Sequence, residues 1–216
     1  MGAGMRIIAG RHRGRPLHAP KGRDTRPTPD RVRESLFASL DGMGVLEDAR
    51  VLDLFAGSGS LGLEALSRGA HDVVFVDQAS GPVSALTRSI ADLGEEGRTQ
   101  VLSQRAQTAV DRLLEDDQRF DVVFADPPYP MGEDEVGRLL KTVAGLLRDL
   151  SALAVVERSV RSPQPTLPER LELYRDRTYG ETRMWLLQLV GDGDDQKGEG
   201  DDLMGEGGDL VGDREG

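Results

Sequence analysis

The sequence predicts an α/β protein built on a doubly wound, mostly parallel seven-stranded sheet with an antiparallel C-terminal edge, preceded by an N-terminal β-hairpin and a helix. Three observations carry this prediction. From Arg50 onward, short apolar runs alternate with helix-length stretches, the order that builds a parallel sheet. Apart from Asp53 the runs are apolar, as strands covered on both faces require. The first run also ends in a glycine cluster, Gly57-Ser58-Gly59, where a strand would turn into a helix.

The elements follow in order. Over 5–18, Ile7-Ile8-Ala9 and Pro16-Leu17 flank Gly10-Arg11-His12-Arg13-Gly14-Arg15, a glycine-bounded pattern that predicts a hairpin with Arg11, Arg13 and Arg15 around its turn. Thr28 can cap a helix, Pro29 suits its first position and Asp30 complements the positive end of its dipole. That helix is expected to run to about Leu40 with Val32, Leu36, Phe37 and Leu40 buried, leaving Arg31 and Arg33 for a ligand or solvent. Strands are predicted at 51–55, 73–76, 101–102, 122–124 and 153–156, with helices at 60–68, 81–93, 108–114 and 134–147 between them. A final pair at 169–175 and 183–189, bracketing Tyr179-Gly180, reads as antiparallel.

Length and composition divide the chain. At 216 residues it fits one medium domain with appendages. The division expected is a basic N-terminal arm at 1–40, a catalytic domain at 41–190, and a disordered, acidic, glycine-rich tail at 191–216 too poor in apolar residues to fold alone. The net charge of −11 hides a segregation: residues 1–33 hold nine Arg or Lys against Asp24 and Asp30, and 191–216 hold ten acids against Lys197 and Arg214. A local basic arm can displace counterions from a phosphate backbone whatever the overall charge. Cysteine is absent and His12, His18 and His71 lack ligand or triad spacing, so no disulfide and no metal site is expected. With no membrane-length or signal-like apolar stretch, a cytoplasmic location is expected.

Two motifs carry chemistry. In Asp53-Leu54-Phe55-Ala56-Gly57-Ser58-Gly59-Ser60-Leu61-Gly62, three glycines match G-x-G-x-x-G, and Asp77 lies 20 residues beyond Gly57. A dinucleotide would bring a pyrophosphate close to Asp53, which would oppose it. S-adenosylmethionine brings a sulfonium and an ammonium instead, so the acid beside the turn favours the methyl donor, with Asp77 meeting the ribose hydroxyls. The alternative is that Asp53 is a helix-capping or turn carboxylate and that Gly57 and Gly59 serve packing; with Asp126 in the same sheet, the functional reading is favoured. The second motif, Asp126-Pro127-Pro128-Tyr129, follows the apolar run 122–124. An exocyclic amine on a nucleobase is a poor nucleophile because its lone pair is delocalised, so it needs acceptors for its protons. Asp126 offers a carboxylate, Pro127 a carbonyl in a stiff turn, and Tyr129 a face for an unstacked base.

These residues resemble the RsmD-type 16S ribosomal RNA guanine-N2 methyltransferases of the Rossmann-like, S-adenosylmethionine-dependent class, over about residues 5–190. The resemblance rests on Met5-Arg6-Ile7-Ile8-Ala9-Gly10, Arg13-Gly14-Arg15, Thr25-Arg26-Pro27-Thr28 with Arg31, Arg33-Glu34-Ser35-Leu36-Phe37, Val51 to Gly59, Gly62 to Ala70 and Asp126 to Tyr129. It implies S-adenosylmethionine as cofactor, held by Asp53, Phe55, Ala56, Gly57, Ser58, Gly59, Asp77, Gln78 and Gln104, with Arg26 and Thr28 at its mouth. It implies Asp126, Pro127, Pro128 and Tyr129 as the catalytic group. Arg11, Arg13, Arg15, Arg31 and Arg33 are the implied contacts to RNA. The implied partner is small-subunit ribosomal RNA, protein-bound or in an assembled 30S particle, met by a monomer. Where the class often places an acid at the third strand's end, the chain reads Ser103-Gln104-Arg105-Ala106, which leaves the adenine to Gln104 or backbone. A DNA adenine-N6 or protein glutamine methyltransferase, an NAD-dependent oxidoreductase, and a non-catalytic RNA-binding or assembly protein are the alternatives.

Overall fold

The computed structural model describes residues 5–19, 30–128 and 131–191. The predicted acidic tail beyond Gly191 and the Thr28 cap with Pro29 lie outside the described residues. The elements are α1 (Asp30–Met43), β1 (Arg50–Leu54), α2 (Ser60–Ser67), β2 (Asp72–Val76), α3 (Ser80–Leu93), β3 (Thr99–Leu102), α4 (Ala106–Glu115), β4 (Val122–Ala125), α5 (Glu133–Leu146), β5 (Leu153–Ser159), β6 (Leu171–Tyr179) and β7 (Thr182–Leu189). They form one seven-stranded sheet of order β3-β2-β1-β4-β5-β7-β6. The pairings among the first five strands are parallel, while β7 pairs antiparallel with β5 and β6. The fold class expected from the sequence is the one observed.

Strand alternation sorts the side chains into two cores. Val51, Val73, Phe75, Val122, Phe124 and Val155 face α1, α2 and α3, whereas Leu52, Leu54, Val74, Val123, Ala154 and Val156 face α4 and α5. Burying each large aliphatic or aromatic side chain contributes about 1.5–3 kcal/mol. The rim strand β6 is mostly exposed and carries Glu172, Arg175, Asp176 and Arg177, charges that discourage another sheet from pairing with that edge. The strands reach beyond the predicted runs at their polar ends, as β3 does in starting at Thr99.

The hairpin forms, and the described residues of 1–40 pack on the rest of the domain. Its two sides are tied by Ile7 N to the Arg15 carbonyl at 3.0 Å and Leu17 N to the Met5 carbonyl at 2.8 Å. Ile7 and Leu17 then join Val32, Leu36, Phe37 and Leu40 in the same core as Val51, Leu63 and Phe124. Glu64 of α2, fully buried, accepts from Ile8 N at 2.7 Å and Ala9 N at 3.0 Å and pairs with Arg68 at 2.7 Å. Arg68 in turn lies over the Phe37 ring, 5.2 Å from its centroid. Gly10, at φ +78°, lets the hairpin backbone touch α2, where any Cβ would run into the Ser67 carbonyl. Apolar burial and a carboxylate staple thus fix the segment to the domain.

Candidate active site

The cavity opens where open α/β sheets bind ligands: beyond the carboxyl ends of the strands, around β1 and β4, where the strand order reverses. Its volume is about 900 Å³. Four acids project from four consecutive strand ends into its lining: Asp77 after β2, Asp53 on β1, Asp126 after β4 and Glu157 on β5.

The turn after β1 takes an unusual backbone. Phe55 sits at φ 59°, a left-handed conformation that costs a side-chain-bearing residue of order 1–3 kcal/mol, and Gly57 follows at φ 56°. Asp77 fixes this turn, its Oδ2 accepting from Gly57 N at 2.8 Å while Oδ1 accepts from Ala79 N at 2.8 Å. Ser58 Oγ donates to Met5 Sδ at 3.1 Å, bringing the start of the hairpin to the cavity wall. Asp53 is buried and accepts from Gly62 N in the first turn of α2 at 2.9 Å. It is therefore both a helix-capping carboxylate and a cavity residue. Burial pushes its pKa from 3.8 to about 7; the Gly62 bond opposes that rise and the Asp77 charge adds to it.

Asp126 is open to the cavity, yet the surrounding walls strip it of bulk water. Desolvation first, then the charges of Glu157 and Asp53, hold its carboxyl well above the ordinary range. Pro127 is buried, and among the described residues nothing donates to its carbonyl, whereas the Pro128 carbonyl accepts from Met131 N at 2.9 Å. An open carboxylate thus adjoins a rigid turn with a spare carbonyl.

Comparison with known proteins matches this arrangement to a family described as Conserved hypothetical protein 95, whose model covers residues 5–188. The chain belongs to that family. It is 37% identical over 195 residues to a protein of Escherichia coli named Ribosomal RNA small subunit methyltransferase D, covering 88% of this chain and 92% of that one. A protein of the same name from Haemophilus influenzae is 37% identical over 177 residues, covering 82% and 89%. The solved structure of a candidate methyltransferase, yhhF, from Escherichia coli superposes with a TM-score of 0.73 at 32% identity, covering 87% of this chain and 98% of that one.

Of the expected site residues of this family member, Asp53, Phe55, Ala56, Gly57, Ser58, Asp77, Gln78, Gln104, Asp126, Pro127 and Pro128 line the one cavity. Arg26, Thr28 and Tyr129 lie outside the described residues. Gly59 is a correction: it does not line the cavity, and a Cβ there would strike Leu86 and press on Phe75. Gly62 is closed off in the same way by Phe75 and Val73. Gly59 and Gly62 therefore let α2 pack closely; for Gly62 this is the packing role of the third glycine in either class of enzyme, whereas Gly59, the second, turns to Leu86 and Phe75 and not to the cavity.

One of the expected RNA contacts is also corrected. Arg33 is fully buried, donating to Asp30 Oδ1 at 2.7 Å and to the Arg6 carbonyl at 2.9 Å, because α1 turns it inward beside the hairpin. Arg11 bonds the Leu66 carbonyl and pairs with Glu95, and Arg15 donates to the Asp92 carbonyl. Arg11 and Arg15 keep exposed side chains despite these bonds, and Arg13 and Arg31 are exposed too. The hairpin tip lies against Ser67 at the far end of α2, about 12 Å of helix from the cavity, so its arginines are remote from the reacting centre. Glu157, Arg105 and Arg138 line the cavity and were not among the expected site residues. For Glu157 a signal existed: like Asp126, it is an acid at the close of an apolar run.

Among the described residues, no group of three or more His, Asp or Glu is placed to hold a metal, and no helix is long and apolar enough to cross a membrane.

Proposed function

We propose that this cavity methylates the N2 amine of a guanine in small-subunit ribosomal RNA. Methyl transfer from S-adenosylmethionine to 16S ribosomal RNA is the activity of the RsmD-type family, and this chain is an enzyme of that kind. The residues present fit the cofactor. Asp53 is a buried carboxylate without a cation among the described residues, held at a cost that a sulfonium and an ammonium would offset. The volume is near the top of the range of about 300–1,000 Å³ for small-ligand pockets, enough for a cofactor and a base together.

Asp53 and the Gly57 backbone would hold the amino-acid end, Asp77 the ribose, and Gln104 the adenine. When bound, the cofactor supplies an already activated methyl group. The protein's contribution is alignment and exclusion of water. Asp126 and the Pro127 carbonyl accept the two amine hydrogens, which orients the nitrogen lone pair, and Tyr129 would stack an extruded base. RNA is met by Arg13 and Arg31, as protein-bound RNA or an assembled 30S particle, by a monomer in the cytoplasm.

The observation that carries this reading is Asp126, open to the same cavity as Asp53 and Asp77. The test is transfer of labelled methyl to subunits lacking the modification, followed by nucleoside analysis. N2-methylguanosine is expected, and Asp126→Ala should lower kcat by about 10²–10⁴-fold with cofactor affinity kept. Label on another nucleoside, or full activity in Asp126→Ala, would reject it.

A further inference from the structure

We propose that Glu157 selects guanine, accepting the N1–H of the base beside the grip of Asp126 on its amine. This rests on the guanine reading above. The register places the two acids side by side: β4 and β5 pair through Phe124 with Val155 and Ala125 with Val156, and Asp126 and Glu157 are the next residues on each strand. Paired strands run about 4.8 Å apart. Alternation puts both acids on the side of Phe124 and Val155, which share one core. Both line the cavity, and the charge of Glu157 acts directly on Asp126. The result is a wall of two adjacent carboxylates at the acceptor end of the site.

Such a wall matches one base. Guanine presents the N2 amine and N1–H as neighbouring donors on a single edge. Adenine places a lone pair at N1 beside its amine, and cytosine does the same at N3, so each would set that lone pair against the Glu157 carboxylate. Uracil and thymine offer one N–H between two carbonyls. Asp126 suits any exocyclic amine; adding Glu157 restricts the amine to one flanked by a second donor. A site built to hydrogen-bond a particular N–H can reject the analogue lacking it by as much as about 10⁴–10⁵-fold.

The experiment replaces the target guanine with 2-aminopurine, which keeps the amine at C2 but carries a lone pair at N1. Wild-type protein should favour guanine by at least about 100-fold in kcat/KM. In Glu157→Gln the amide can donate to that lone pair, so the preference should fall by more than about tenfold, through a slower guanine reaction and a faster 2-aminopurine one. Glu157→Asp, which keeps the carboxylate, should retain the preference at reduced kcat and guards against a Gln variant that folds poorly. Equal losses on both bases, or a preference unchanged in Glu157→Gln, would overturn the assignment, as would a preference lost in Glu157→Asp. If the wild-type product contains no N2-methylguanosine, the guanine reading fails and this inference with it. If N2-methylguanosine is present and the preference is unmoved, only this inference fails.

Discussion

Replacing Asp53 by Asn separates the electrostatic cost of the cofactor site from its geometry. The amide oxygen can still accept from Gly62 N, which Asp53 Oδ2 does at 2.9 Å, while the charge to be desolvated is gone. In the native protein burial raises the Asp53 pKa from 3.8 to about 7. Between those pH values the folded chain holds a proton that the unfolded chain has released, so stability falls as pH rises through the window. At roughly 1.4 kcal/mol per pH unit, the full rise corresponds to about 4 kcal/mol, and the part developed between pH 5 and pH 8 to about 2–3 kcal/mol. Relief of the Asp53 charge acting on Asp126 adds in the same direction. Urea unfolding of both proteins without cofactor, at pH 5 and pH 8, should therefore show Asp53→Asn gaining about 2–3 kcal/mol on the wild type across that interval. A difference that is the same at both pH values within about 0.5 kcal/mol would refute the claim that Asp53 is a costly buried charge. The same linkage predicts that wild-type affinity for S-adenosylmethionine rises over this interval, since a cationic ligand needs the carboxylate ionised, and that the Asn variant binds weakly with little pH dependence.

Three further outcomes are expected. The acidic limb of kcat/KM should sit above the ordinary carboxylate range because Asp126 must be ionised to accept from the amine, and Glu157→Gln should move the limb to lower pH by removing one of the charges that raise it. The shift should be partial, since desolvation is the larger cause, and a limb that stays in place would remove Glu157 as a neighbour that matters. Glu64→Ala removes one of the two carboxylates on Arg68, leaving Asp41, and frees Ile8 N and Ala9 N, so unfolding should show a loss of about 2–4 kcal/mol, with hydrogen exchange accelerated across the hairpin; slow exchange there would mean that apolar contacts alone dock it. Gly62→Ala drives a methyl into the Phe75 ring and should cost about 1–3 kcal/mol, lowering Tm with the KM for cofactor little changed, whereas a KM effect at full stability would place Gly62 at the ligand instead.

The parts of this protein that were legible in its sequence are those governed by local pattern. Apolar runs such as Val51–Leu54 and Val122–Ala125 can satisfy both their faces only as central strands, so the α/β order followed from them directly. The acids at the carboxyl ends of those strands were legible for the same reason: a strand's carboxyl end faces the crevice, and Asp53 near the end of β1 and Asp126 just past β4 could scarcely avoid it. What did not read through depends on which neighbour arrives across the fold. Arg33 and Arg31 are the same residue type, and although helical spacing sets Arg33 in line with Leu36, Phe37 and Leu40, it is the Arg6 carbonyl arriving from the hairpin, with Asp30, that lets a guanidinium stay buried there. Gly59 and Gly62 are likewise identical to Gly57 as letters, and the difference is made by Phe75 and Leu86, which belong to elements folded against them from outside the motif.

The hairpin shows how that limit bears on function. Read along the chain, Arg11, Arg13 and Arg15 form one basic turn, and the charge of 1–33 suggests an arm reaching for RNA. Folded, Arg11 and Arg15 are engaged by Glu95 and by the Leu66 and Asp92 carbonyls, groups on or beside α2 and α3. A guanidinium already bonded to protein acceptors would have to break those bonds to neutralise a phosphate, which lowers its net contribution to RNA affinity. The basic segment thus does two jobs at once. Part of its charge docks the hairpin, which carries Met5 to the cavity wall beside Ser58, while Arg11, Arg13, Arg15 and Arg31 all keep an exposed face. The hairpin is therefore a piece of the active site's wall before it is an RNA-binding arm.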